Sequence, residues 1–426
     1  MKPDTIPLLA GRSAGPIRPA ATGIDGCTPE AFRDGFGEDL ASVMNLDSWR
    51  AGQNLDAEYR RVEDEVAEAV SLEGEAELRI REEVHPKLAF IDGAPKNAGV
   101  HKTTIDELKA IHRGLLFRGA VEACDGTSQC HDTIPLTIHQ IGVSLVSYQG
   151  DGGGWATRLF RRDLRRTHED PVNEVLDLLT RRQYRGAQNH DSSGDPLSQL
   201  ARRGVMTYAE RAVLAYKSTA PWRMGHGNPA AHELLMGGAG SADLMIESVK
   251  AIRQLAEGHR KFVFVSSEPA DRVLLTIGHS LRPLEYAIVD TLRDRLAEFI
   301  DNARFHPAVT VDNRWDGVPL ATDQWLVRFR DQVAARVVCG VYRASPFAPA
   351  QVFYAHEDHA AIAVRIAMAD SILQEHRGFP TLIDLADEAC RSLYGGATLG
   401  DLADAAYARA GAATRYASER MSRDRR

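Results

Sequence analysis

The fold is decided by three neighbouring stretches: GAVEACDGT at 119–127, LTIHQIGVSLVSY at 136–148 and WATRLF at 155–160. The first is a short apolar run closed by an Asp-Gly turn signal. In the second, Ile141, Val143 and Leu145 alternate with smaller or polar residues, and the third stretch alternates again. The segment QGDGGG at 149–154 lies between them, and its glycines allow the positive φ angles of a tight turn. The sequence therefore predicts a strand that ends in Asp125, followed by a two-stranded hairpin.

Working outward, helical and extended patterns flank this hairpin on both sides. Before it, 56–83 places apolar side chains at a 3.6-residue period, which predicts an amphipathic helix. Strands that arrive singly between helices are typical of an α/β sheet, and the hairpin makes the sheet mixed. We predict helices near 105–116, 171–183, 206–217, 243–257, 284–300, 323–335, 380–394 and 398–420, and strands at 261–267, 336–343, 351–355 and 361–366.

Composition divides the chain into three parts. Residues 1–54 are rich in Gly, Ala and Pro and predict an extended or partly ordered lead-in. A helical arm follows at 55–118, and a main α/β domain at 119–426. The expected fold is therefore a mixed sheet flanked by helices, with an N-terminal helical arm.

Charge and cysteine content exclude several classes of protein. The 426 residues hold 51 Lys and Arg against 59 Asp and Glu, a net charge of −8, which excludes a protein that binds nucleic acid by bulk electrostatics. Five cysteines spread along the chain are not a disulfide framework, so we expect reduced thiols and a cytoplasmic protein. The first thirty residues lack the apolar core of a secretory signal, and no stretch is long enough to span a membrane.

Acidic residues at predicted strand ends suggest a metal site. Asp125 precedes a glycine at the end of a strand, where α/β sheets place their ligands, although an ordinary Asp-Gly turn is the alternative. Asp92 and Asp132 are weaker candidates because they fall in connections. Glu247 lies in the helix before strand 261–267, and Glu268 follows that strand. Together with Asp125 they would form the oxygen cage that Mg²⁺ or Mn²⁺ prefers.

A glycine-rich stretch, RMGHGNPAAHELLMGGAG at 223–240, is a second candidate. It lacks the spacing of a nucleotide-binding loop. We interpret it as a loop that brings Glu233 onto the first turn of a helix near the sheet edge. An ordinary N-terminal glutamate in a capped helix explains the same residues equally well.

The third candidate is a cluster of arginines that follows the hairpin. Its members are Arg158, Arg161, Arg162, Arg165 and Arg166, with Arg181, Arg182 and Arg185 further on. Arginines at this density can contact a phosphate backbone, so the cluster predicts a DNA-binding surface. A solvated helix with ion pairs to Asp163, Glu169 and Asp170 is the alternative.

The order of these parts resembles the NurA nucleases. A helical arm precedes a strand with Asp-Gly-Thr, a hairpin, helices and a further strand with acids. The late part runs through VVCGVYR at 337–343, a pair of strands to Ile366, and GFPTLIDLAD at 378–387. The resemblance covers about 120–395. It implies an RNase H-like fold, DNA hydrolysis with Mn²⁺ or Mg²⁺, a homodimer, and a HerA-type hexameric ATPase as partner.

The resemblance also implies roles for particular residues. The family's first catalytic aspartate corresponds to Asp125, and its helical glutamate to Glu233 or Glu247, of which Glu247 has the better spacing. Ser266-Ser267 stands where the family has a second Asp-Gly, which leaves Glu268 as the adjacent substitute. The family's late histidine falls on Asp387 when counted from Pro380, and on Ala386 when counted from Leu382.

Three functions follow as hypotheses. The first is a metal-dependent DNA nuclease that acts with a HerA-like ATPase in DNA end processing or phage defence. The second is a catalytically weak NurA-like adaptor that docks on the ATPase and regulates it, which the two replaced motifs favour. The third is an α/β enzyme that acts on a small phosphorylated substrate through the glycine-rich stretch.

Overall fold

The computed structural model describes residues 28–49, 55–132, 136–150, 152–161, 170, 172–173, 175–176, 179, 200–235, 242–267, 269, 271–302 and 314–411. The chain divides into two compact units, Met1–Glu73 and Gly74–Arg426. Within the described ranges, no helix combines the length and the apolar character needed to cross a membrane.

Short, well-capped helices begin the described chain. The helix α1 (Pro29–Phe36) starts at Thr28, whose side chain accepts a hydrogen bond from the Ala31 amide, and stops at Gly37 in the left-handed conformation. It is followed by α2 (Leu40–Met44) and by the long helix α3 (Leu55–Glu83), which has no buried residue. These local capping signals explain why part of the segment for which an extended or partly ordered lead-in was predicted forms helices.

The remaining helices belong to the second unit. They are α4 (Ile105–Gly114), α5 (Val205–Tyr216), α6 (His232–Leu235), α7 (Ala242–Arg253), α8 (Arg272–His279), α9 (Leu292–Asn302), α10 (Thr322–Arg328), α11 (Ala360–Ser371), α12 (Thr381–Tyr394) and α13 (Gly396–Arg409). The predicted helix at 171–183 lies mostly outside the described residues.

A mixed sheet forms the centre of the second unit. Its strands are β1 (Gly99–Lys102), β2 (Val121–Asp132), β3 (Thr137–Val146), β4 (Gly152–Arg161), β5 (Trp222–His226), β6 (Phe262–Ser266), β7 (Glu285–Thr291), β10 (Val337–Arg343) and β11 (Gln351–His356), while β8 (Arg314–Trp315) and β9 (Val318–Pro319) pair separately. The order across the sheet is β1-β7-β10-β11-β6-β5-β2-β3-β4.

Half of this sheet has the predicted RNase H-like arrangement. The strands β2, β3 and β4 pair antiparallel, and β5 and β6 follow in parallel on the other side of β2. The predicted hairpin is confirmed as β3 and β4. The mixed α/β fold with flanking helices is therefore confirmed.

Several predicted elements were wrong for identifiable reasons. The apolar run at 361–366 belongs to α11, because an alanine-rich helix buried on most sides shows no clear period. The first part of the predicted helix 284–300 is β7, an interior strand whose two faces are both buried. The strand β5 was missed because it is short and contains Arg223 and Gly225.

Helices cover both faces of the sheet. One core packs residues of α5, α7, α8, α9 and α10 against the sheet face that carries Cys124 and Phe264. The other core packs α4, α11 and α12 against the opposite face, which carries Ala123 and Met224. Helices can therefore reach a residue at the end of a strand from either face of the sheet.

Candidate active site

Asp125 lies inside β2 rather than at its end. The strand continues because β3 pairs with it as far as Asp132, whereas its parallel pairing with β5 runs from Val121 to Cys124. Asp-Gly is therefore not a turn here. Asp125 instead stands beside the carboxyl end of β5, the side of an α/β sheet where ligands bind.

The residue at the end of β5, His226, contacts Asp125 directly. Its Nδ1 lies 3.2 Å from the Asp125 Oδ1, and its Nε2 lies 2.8 Å from the Ser267 Oγ at the end of β6. The Asp125 side chain is 8% exposed and that of His226 is 32% exposed. Ser267, His226 and Asp125 are thus connected as a hydroxyl, an imidazole and a carboxylate, a sequence of contacts that can relay a proton.

A second carboxylate reaches this place from the opposite face of the sheet. Glu210 is buried on α5, and its Oε1 would lie 2.6 Å from a β-carbon placed on Gly126. Real β-carbons do not approach another atom so closely, so the space exists only because residue 126 is glycine. The Asp-Gly pair therefore supplies one carboxylate and the gap through which another one enters.

Arg211 holds both Glu210 and the turn after β5. Its guanidinium forms an ion pair with Glu210 and donates hydrogen bonds to the carbonyl oxygens of His226 and Asn228, at 3.0 and 2.7 Å. Arg211 is 2% exposed, so this pairing is shielded from water.

The helix α12 brings further carboxylates to the other face. The charges of Asp125 and His226 both act on the Asp387 carboxylate, and Asp387 forms an ion pair with Arg391 at 2.9 Å. Phe379, just before α12, packs edge-on against the His226 ring with a centroid distance of 5.8 Å. The site thus lies at the carboxyl ends of β5 and β6, with α5 on one face of the sheet and α12 on the other.

Burial and neighbouring charges shift the pKa values of these groups. Burial raises the pKa of Glu210 above its usual range, against the opposing effect of Arg211. Burial and the nearby Asp125 also raise the pKa of Asp387. Burial acts to lower the pKa of His226, but the hydrogen bond and charge of Asp125 outweigh it and raise that pKa. Several shifted pKa values within one group of neighbouring side chains are typical of catalytic sites.

The predicted glutamates lie on other helices of the structure or outside the described residues. Glu247 on α7 pairs with Lys250 at 2.7 Å, and its charge acts on Tyr208 and Tyr216. Glu233 lies on α6, after the turn that follows β5. Glu268 is outside the described residues. Of the predicted acids, Asp125 and Asp387 interact with each other, and the helical glutamate whose charge acts with that of Asp125 is Glu210.

Two of the predicted DNA-contacting arginines are described. Arg158 and Arg161 lie on β4, the edge strand, and Arg158 donates a hydrogen bond of 2.6 Å to the Gln140 side chain. Arg162, Arg165 and Arg166 lie outside the described residues.

The side chains at this site are of types that can bind a hard divalent cation, but they are not arranged as a metal site. Carboxylate oxygens and one imidazole nitrogen are ligands that Mn²⁺ accepts. In the described part of the chain, however, no three His, Cys, Asp or Glu side chains are grouped as a metal site. Asp125 contacts His226, and Glu210 contacts Arg211.

Two residues of the site escaped the sequence analysis. Glu210 stands in TYAERAVLAY, a helix that the period predicts correctly but whose contact with β2 is not local. The sequence signal for His226 was its place beside Gly227 in the glycine-rich stretch at 223–240. Gly227 has a φ of 77°, as expected of a glycine that ends a strand in a tight turn.

Comparison with known proteins gives the following similarities. No protein-family model and no curated protein matches the sequence. The fold is similar to the NurA nuclease from Sulfolobus solfataricus, with 10% identity, a TM-score of 0.40, and coverage of 82% of this chain and 98% of that one. It is also similar to NurA bound to dAMP and manganese, with 10% identity, a TM-score of 0.36, and coverage of 80% and 93%.

A more distant similarity is to Ciona intestinalis endonuclease V in complex with DNA, with 11% identity, a TM-score of 0.24, and coverage of 64% and 84%. The solved structures with a similar fold thus include NurA nucleases, the family that the order of motifs resembles.

Proposed function

We propose that this protein is a DNA nuclease that hydrolyses phosphodiester bonds at the site formed by Asp125, Glu210 and His226. The observation that carries the proposal is the convergence of two carboxylates from opposite sheet faces through the gap at Gly126, beside a histidine whose two ring nitrogens are both engaged. Such a constellation can accept and hand on the proton of an attacking water.

In the proposed mechanism each side chain has a separate task. Asp125 fixes the orientation of His226 through the contact at Nδ1, which leaves Nε2 toward the exposed Ser267 side. Arg211 keeps Glu210 in place and favours its ionised form. The arginines on β4 would contact the phosphate backbone of DNA.

The proposal includes a divalent cation, Mn²⁺ or Mg²⁺. Asp125 and Glu210 would hold it, with Asp387 or Glu268 supplying a further oxygen. When bound, such an ion stabilises the charge that develops on the phosphate. Because Asp125 and Glu210 are paired with His226 and Arg211, an incoming cation has to compete with these contacts.

The first test compares DNA degradation by the full-length protein and two variants. With Mn²⁺, wild type should degrade linear DNA, and chelation should stop it. Asp125→Asn should lose at least about 100-fold in rate, the usual contribution of a positioned acid or base. Asp92→Asn, at an exposed position, should cut like wild type. Undiminished cutting by Asp125→Asn would contradict the proposal.

A specific observation favours a second candidate, the catalytically weak adaptor. The acids of the site are paired with basic groups, and the described residues contain no group of three metal ligands. Calorimetric titration with Mn²⁺ separates the two candidates. Binding that Asp125→Asn abolishes supports the nuclease, whereas absence of binding together with absence of cleavage supports the adaptor.

Partners and assembly belong to the same proposal. A HerA-like hexameric ATPase and a homodimer follow from the resemblance to NurA nucleases. Co-purification with such an ATPase, and the mass of the protein in solution by light scattering, test these two points separately from cleavage.

A further inference from the structure

An exposed aromatic surface lies at the same end of the sheet as the candidate active site. Because β10 and β6 both pair antiparallel with β11, they run in the same direction, and the loop after β10 leaves the sheet at the same end as Ser267. Phe347 in this loop is 62% exposed, and its ring lies 5.5 Å from the ring of the exposed His376, centroid to centroid. An exposed ring of this size at a site edge is available to a ligand.

The segment around Phe347 is held in place by contacts with the segment before α12. The Ser345 hydroxyl donates to the Glu375 carbonyl oxygen at 2.5 Å and accepts from the Phe347 amide at 3.2 Å. Gly378 has a φ of 63° and packs so closely on Ala348 that a β-carbon there would lie 2.5 Å from the Ala348 Cβ. The aromatic pair is therefore presented by two loops that brace each other.

A continuous series of contacts connects this surface to Asp125. Arg377 follows His376 in sequence, and its guanidinium lies 5.4 Å from the centre of the Phe379 ring. Phe379 contacts His226, which contacts Asp125. Arg377 is 58% exposed, forms an ion pair with Asp384 at 2.6 Å, and directly follows His376 in the chain. The stacking faces and the cation are thus connected through Phe379 and His226 to the site where a phosphodiester would be cut.

We propose that Phe347, His376 and Arg377 form a stacking platform that binds an unpaired base of single-stranded DNA next to the scissile phosphate. Aromatic rings bind exposed bases through their faces, and an adjacent arginine adds attraction to both base and phosphate. In a duplex these faces are covered by neighbouring base pairs, so the platform selects single strands or frayed ends. This inference rests on the proposed nuclease function and specifies its substrate class.

The test measures DNA binding by fluorescence anisotropy in the presence of a chelator, with gels to show that the strands stay intact. The probes are a single-stranded thymidine dodecamer, the same strand with abasic positions, and a duplex of equal length. Phe347→Ala should weaken binding of the thymidine strand about tenfold. It should leave duplex and abasic-strand binding at wild-type values. The control is Phe90→Ala, which removes a ring that is 84% exposed elsewhere, and melting curves confirm that both variants fold.

Each result has a defined meaning. Selective loss for the base-bearing strand supports the platform. If Phe347→Ala binds all probes like Phe90→Ala, or weakens all three equally, the platform is overturned while the nuclease proposal stands. A wild-type protein that neither binds nor cuts any of these DNAs would overturn both.

Discussion

Gly126 separates two side chains that come from opposite faces of the sheet. Asp125 points toward the face of α12, whereas Glu210 arrives from α5 on the other face and occupies the space where a β-carbon would stand. Met206 fills the rest of that space, 2.9 Å from the same hypothetical atom. The absence of a side chain at 126 is therefore a chemical requirement of the proposed site.

Replacing Gly126 by alanine should displace Glu210 and lower cleavage about 100-fold, because misplacement of a reacting group by about 1 Å costs that much. Overpacking should also cost about 1–3 kcal/mol in the free energy of unfolding. The matched control is Gly114→Ala, at the end of α4, where a β-carbon meets nothing within 4 Å. Equal cleavage by the two alanine variants would show that Glu210 does not need this gap.

Among the elements, α12 carries Asp387 and is fixed at its first turn by a buried acid. Asp370, at the end of α11, accepts hydrogen bonds from the Leu382 amide at 2.7 Å and from the Tyr148 hydroxyl at 2.5 Å. The Thr381 hydroxyl also donates to the Asp370 carbonyl oxygen, at 3.3 Å. The start of α12 is therefore bound to α11 and to the segment after β3.

This acid makes stability depend on pH. Burial raises the pKa of Asp370 to about 6, against the opposing effect of its hydrogen bonds. Between the ordinary aspartate pKa near 4 and this value, the folded protein keeps a proton that the unfolded chain has lost. The free energy of unfolding should therefore fall as pH rises from about 4 to about 6, by roughly 3 kcal/mol at most.

Asp370→Asn should lack this pH-dependent contribution to the free energy of unfolding. The difference between the wild-type and variant free energies of unfolding should therefore change between about pH 4 and about pH 6. Denaturant unfolding at several pH values measures it. Parallel pH profiles for wild type and Asp370→Asn would contradict the assignment.

Local and non-local contacts explain what could be predicted from the sequence. The hairpin was predictable because alternation and glycine positions are local signals, whereas the predicted end of the strand at Asp125 was wrong because β3 continues to pair with β2 as far as Asp132. The contact between Glu210 and Gly126 was not predictable, because it depends on which sheet face receives α5. The role of β5 was hidden for a related reason: a five-residue strand shows its position only when its parallel neighbours are known.

On the scale of the whole molecule, the net charge of −8 is unevenly distributed. Acidic residues are concentrated on α3, while Arg158 and Arg161 lie on the edge strand β4. Charged side chains on an edge strand also oppose unwanted pairing with another sheet. A nuclease with this distribution would meet DNA at a restricted surface rather than over its whole exterior.

The proposed function depends most directly on Glu210, which α5 brings toward Asp125. The most direct measurement is the rate of Mn²⁺-dependent cleavage of linear DNA by Glu210→Gln and Glu247→Gln, side by side with wild type. We predict a loss of about 100-fold or more for Glu210→Gln and a near-wild-type rate for Glu247→Gln, whose carboxylate pairs with Lys250. Full activity of Glu210→Gln, or loss confined to Glu247→Gln, would contradict the account.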